Sequence, residues 1–122
     1  MAFFRNGSAA LLAIGLACGA ALAPVAALAD GAMAVGRHGE VGISYRFNSP
    51  GDAERRALRE CGHNDCHIVG HFRHQCAAIA TGRGDHWGSA SRREQSAADE
   101  AAVHNCFGAG GRECTVQVRG CD

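Results

Sequence analysis

Six of the seven cysteines, Cys61, Cys66, Cys76, Cys106, Cys114 and Cys121, lie from position 61 onward. An even set packed into so short a stretch is either a disulfide framework or a thiolate metal cluster. Zinc sites of the second kind commonly use C-x-x-C pairs. Here four residues separate the first two cysteines, then nine, then seven further on, and no C-x-x-C occurs. A framework is the better reading, and it requires an oxidising compartment.

The amino terminus supplies a route to one. Residues 1–8 carry a single charge, Arg5, beside the free amine, and residues 9–22 are an uncharged run of Ala, Leu, Ile, Gly and Cys18. Pro24 breaks the run, and Ala27-Leu28-Ala29 places small residues on both sides of a peptidase pocket. This order predicts a signal peptide over residues 1–29, cleaved before Asp30, and a secreted or periplasmic location. A membrane span needs about 20 apolar residues, and Pro24 leaves only a marginal stretch. The alternative is a lipoprotein acylated at Cys18, although Gly15-Leu16-Ala17 lacks the leucine three positions before the cysteine.

The remaining 93 residues, 30–122, are enough for one domain with a limited core. A domain of this size buries little more than about 60% of its unfolded surface, so covalent staples are useful. All twelve basic residues are arginines, and without Arg5 they stand against twelve carboxylates. Arg55-Arg56 and Arg92-Arg93 each sit beside acidic residues, so no basic stripe is available for a nucleic acid.

Comparing the two halves organises the chain. Ala53, Ala57, Leu58 and Cys61 recur 45 positions later as Ala98, Ala102, Val103 and Cys106. His67-Ile68-Val69-Gly70 answers to Thr115-Val116-Gln117-Val118, and Gly42-Ile43-Ser44 is echoed by Gly88-Ser89-Ala90. The expectation is an α+β fold of two tandem strand-strand-helix-strand repeats, about residues 32–76 and 77–121. They would form one antiparallel sheet with two Ala-rich helices packed on it. The apolar stripe at i, i+4, i+5 and i+8 marks each helix. Ser49-Pro50-Gly51-Asp52 reads as the first helix start and Ser91-Arg92-Arg93-Glu94 as the second. Gly62 and Gly108 read as left-handed exits. If equivalent cysteines do equivalent jobs, the bridges are Cys61–Cys66, Cys106–Cys114 and, between halves, Cys76–Cys121. Loop entropy gives the first about 2 kcal/mol and the last about 4 kcal/mol.

Gly42 to Tyr45, the Ala-rich helix ending in Cys61-Gly62, Ile68-Val69-Gly70, Cys76 to Ala80 and Trp87-Gly88 together resemble a group of small exported bacterial proteins. The group is the domain of unknown function family 4189. The resemblance implies the fold and the export, and brings no active site with it.

Histidine offers the most conspicuous chemistry. His63, His67, His71 and His74 would share one face of a helix and make a metal site. The repeat instead puts His67 and His71 on a strand, on one face about 13 Å apart, with His74 on the other. A periplasmic Zn or Cu protein using His63, His67 and His71, or a site across strands with His38, His86 or His104, is therefore the second reading. Asp85-His86-Trp87 with Ser89 and Ser91 holds the residue types of a hydrolytic triad but lacks the elbow motif around the serine. A carboxylate pair for glycan hydrolysis would have to come from Glu54, Glu60, Asp99 and Glu100, which sit on solvated helix faces. Disulfide pairing leaves no thiolate for catalysis. Trp87 and Phe72 are expected in the core beneath the helices, and Tyr45 beside Arg46 is the surface candidate for binding. The leading expectation is thus a non-catalytic exported domain, without cofactor, that binds a protein or cell-envelope component. A metal-binding protein and a small envelope hydrolase are the alternatives.

Overall fold

The computed structural model describes residues 28–122; residues 1–27 of the expected leader, with Cys18, lie outside it. The elements run β1 (Asp30–Val35), β2 (Val41–Phe47), α1 (Pro50–Cys61), β3 (His67–Arg73), β4 (Cys76–Arg83), β5 (His86–Arg92), α2 (Gln95–Gly108) and β6 (Arg112–Cys121). The fold is mixed α+β. Its strands form two antiparallel three-stranded sheets, ordered β2-β1-β3 and β5-β4-β6, rather than the single sheet expected.

The reason lies in the two central strands. In β1, Ala32 and Ala34 pack with Ala53, Ala57 and Cys61 of α1, while Met33 and Val35 turn to the other side. In β4, Ala78 and Ala80 lie under Ala98, Ala102 and Cys106 of α2, while Ala77 and Ile79 meet Met33, Val35 and Phe72 between the sheets. Each central strand is buried on both faces, which needs a helix on one side and the second sheet on the other. The layers are helix, sheet, sheet, helix. Trp87 and Phe72 belong to the inter-sheet core and not to the ground beneath the helices, where alanines sit.

Each helix approaches its sheet very closely. A Cβ on Gly42 would fall 2.1 Å from the Ala57 carbonyl oxygen, and one on Gly88 2.2 Å from the Cys106 nitrogen. Ser44 Oγ donates to the Ala53 carbonyl at 2.5 Å, and Asn105 Nδ2 to that of Ser89 at 2.9 Å. Two glycines thus fix where the helices can lie.

Ser49 caps α1 as expected, accepting the Asp52 N–H at 3.2 Å and donating its hydroxyl to Asp52 Oδ2 at 2.9 Å. Gly62 exits left-handed at φ 75°. The second helix departs from expectation at both ends. Ser91 pairs with Ala77 inside β5, so Glu94 becomes the N-cap and makes no side-chain capping bond. Gly108 is the last helical residue, Ala109 follows in right-handed geometry, and the positive φ falls on Gly110. Strand pairing has taken the residue that the capping box needed.

The bridges are Cys61–Cys66, Cys106–Cys114 and Cys76–Cys121. Cys76 opens β4 and pairs in register with Cys121 of β6. The three pairings are those expected from the sequence, but the expected role of the third is not: it closes the second sheet on itself instead of tying the two halves together. The inter-sheet core does that.

Candidate functional site

The β1–β2 ladder loses register at one point: Asp30 faces Phe47 and Ala32 faces Ser44. Tyr45 and Arg46 therefore stand against Gly31 alone, and Arg46 takes φ 63°. A bulge of this kind bends a strand and re-aims its side chains. Here the Tyr45 ring lies over Gly120 of β6, where a Cβ would come within 2.4 Å of Cε1. Tyr45 as a whole is still 42% exposed. It borders a groove of about 550 Å³ lined also by Ile43, Phe47, Arg56, Glu60 and Arg119. Arg56 Nε bonds Glu60 Oε1 at 2.9 Å, and Arg119 Nη1 bonds Asp99 Oδ2 at 2.7 Å. Two guanidinium groups from opposite halves of the chain thus flank a half-exposed aromatic ring. Arg46 is exposed beside the groove.

A second constellation lies at the far end of α1. Glu40, in the turn before β2, and His63 and Asp65, in the loop after α1, bring one ligand atom each within 4.8 Å of the others. His63 Nδ1 is 2.9 Å from Asp65 Oδ1. The backbone N–H groups of Glu40 and His38 hold the Glu40 carboxyl below its usual range. Desolvation works to raise the Asp65 carboxyl, but the His63 ring and the Arg37 N–H overcome it, and the group also sits low. Neither acid was singled out from the sequence, because they are 25 positions apart and only the fold joins them.

His63 is thus the one sequence candidate for metal that lies in this group, which includes neither His67 nor His71. The strand does not keep those two on one face. Between Gly70, opposite Met33, and Ile68, opposite Ala34, Val69 is an extra residue. That bulge leaves His67 opposite Val35 of the inter-sheet core and His71 opposite Ala32 of the α1 core. His71 Nε2 meets Glu54 Oε1 at 2.6 Å, at the edge of a hollow of about 430 Å³ that also touches Phe72 and Arg73. His74 sits at φ 52° between β3 and β4.

The triad residue types are spread along β5 and its turn. Asp85, at φ 60°, faces His38 at 3.7 Å, while His86, Trp87, Ser89 and Ser91 are paired along β5 against Gly82, Thr81, Ile79 and Ala77 of β4. Among the carboxylates considered for glycan chemistry, Glu54 meets His71, Glu60 meets Arg56 and Asp99 meets Arg119. Glu100 and His104 lie with Val103 and Phe107 along the outer side of α2.

Paired three-stranded sheets, each backed by an alanine-faced helix and closed by disulfides, define a small cysteine-stapled α+β protein of the kind found outside the reducing cytosol. The chain belongs to the domain of unknown function family DUF4189, whose model matches residues 31–121. Among solved structures it is similar to the NMR structure of Rv1813c from Mycobacterium tuberculosis. The two share 25% identity and a TM-score of 0.60 over 78% of this chain and 76% of the other. Among curated proteins none matches.

Proposed function

We propose that the protein is an exported, non-catalytic domain that binds another protein or a cell-envelope component through the face around Tyr45. The observation carrying this reading is the groove of about 550 Å³ in which that ring, seated on Gly120, is flanked by Arg56 and Arg119. A tyrosine held at a bulge offers large contact area at little entropic cost, and arginine adds planar donors; both residue types are enriched in binding hot spots. Export is part of the proposal: residues 1–29 serve as a leader cut before Asp30, and residues 30–122 act as one domain of two related halves. Three disulfides suit an oxidising destination, and no described helix is long and apolar enough to cross a membrane.

The test places a photo-crosslinking residue at Arg46 in the oxidised protein and exposes it to envelope extract. One defined adduct is expected, lost when Tyr45→Ala is added to a chain with unchanged circular dichroism. Adducts indifferent to Tyr45, or turnover of an envelope substrate by the protein alone, would overturn the reading. Mass mapping of native material checks the export clause by reporting the first residue of the chain.

A further inference from the structure

We propose that Glu40, His63 and Asp65 form a binding site for a divalent first-row transition ion of the Zn²⁺ type. The three donor atoms, one imidazole nitrogen and two carboxylate oxygens, already lie within 4.8 Å of one another. Donors bound to zinc at about 2.0–2.2 Å stand roughly 3.4 Å apart in a tetrahedron, so the His63–Asp65 pair would open slightly and Glu40 would close in by no more than about 1.4 Å.

Three features favour an ion. Asp65 Oδ1 is buried, in a side chain only 19% exposed, and makes no well-aligned hydrogen bond although His63 Nδ1 stands 2.9 Å away. A desolvated carboxylate oxygen is costly without a positive partner, and most such atoms in proteins have one. Next, His63 Nδ1 lies 3.4 Å from the Asp65 nitrogen and 2.9 Å from Asp65 Oδ1, so it is already gathered against the second donor. A divalent cation there would take the place of the proton that such a nitrogen and carboxylate otherwise share. Last, the space before the donors is kept clear by Gly36. A Cβ there would lie 2.6 Å from Glu40 Oε2 and 2.9 Å from Asp65 Oδ1.

The donor set indicates the ion. Two carboxylates cancel a divalent charge, and the imidazole favours zinc or its transition-metal neighbours over magnesium or calcium. The thiolates that would favour softer ions are consumed in bridges. Glu40 Oε2 accepts the His38 N–H at 2.8 Å, a bond that orients the carboxylate as ligand-supporting partners commonly do. The Cys61–Cys66 bridge spans the loop that carries His63 and Asp65, so two of the three donors are held before an ion arrives. A fourth position is left for water or a further ligand.

The test is calorimetric titration of Zn²⁺ into the oxidised full chain after chelator treatment. One equivalent is expected to bind saturably. His63→Ala and Asp65→Asn should each weaken it at least about tenfold, as loss of even an outer partner of a metal ligand does, while His67→Ala and His71→Ala leave it unchanged. Amide NMR spectra of the wild type should show shifts concentrated at Gly36, Glu40, His63 and Asp65, a readout that needs no variant to fold. No saturable binding would leave a His63–Asp65 ion pair only and overturn the proposal. So would binding indifferent to His63 and Asp65. Either result is independent of whether Tyr45 engages a partner.

Discussion

Ser49 determines where α1 begins, since its hydroxyl takes one of the N–H groups that a helix start leaves without a partner. Ser49→Ala should therefore lower stability by about 1 kcal/mol in urea unfolding. Asp52 adds a pH dependence. The Ser49 hydroxyl, then Arg55, hold its carboxyl below the usual range in the folded chain. A lowered folded value means that its contribution is present above the unfolded value and is lost as pH falls through the folded one. Urea midpoints of Asp52→Asn should accordingly lie below those of the wild type near pH 7 and converge with them as pH falls below the ordinary aspartate range. At Gly120 the constraint is steric. Gly120→Val should displace the Tyr45 ring and raise its exposure to solvent quenchers, with the sheet register intact. An unchanged Tyr45 fluorescence environment would count against the role given to that glycine.

At the scale of elements, the helices are placed by what the strands beneath them lack. Gly42→Ala and Gly88→Ala should each cost at least about 2 kcal/mol, because overpacking against a helix backbone has no side chain to yield. Gly108→Ala, at the open end of α2 with nothing within 4 Å, should be neutral or stabilising by up to about 1 kcal/mol. Equal costs at the three positions would refute this account of helix seating. The alanine stripes and the Gly42 and Gly88 echoes were legible in the sequence because they repeat at fixed offsets. The α2 cap was not, since Ser91 could serve a helix or a strand and its bonding to Ala77 depends on a distant partner. The bulge at Val69 was equally hidden: alternation is a local rule, and the extra residue shows only against the register of β1.

For the whole molecule, the bridges differ in what they enclose. Cys76–Cys121 closes a 45-residue separation and Cys61–Cys66 one of five. Replacing the first pair by alanines should cost about 4 kcal/mol and the second about 2 kcal/mol, read as shifts in unfolding free energy. Because both ends of the long bridge lie in the second sheet, its loss should loosen amide protection in β4 and β6 before β1 and β2. Composition and spacing determined that the chain is a disulfide-stapled α+β protein with repeated cysteines, and they suggested how those cysteines pair, since recurrence at a fixed offset is a property of the string itself. Only the tertiary structure decided that the strands divide into two facing sheets, that Tyr45 crosses onto Gly120, and that Glu40 meets His63 and Asp65. Those are meetings between segments far apart in the chain, and the facing of the two sheets arises because β1 and β4 must bury both of their faces.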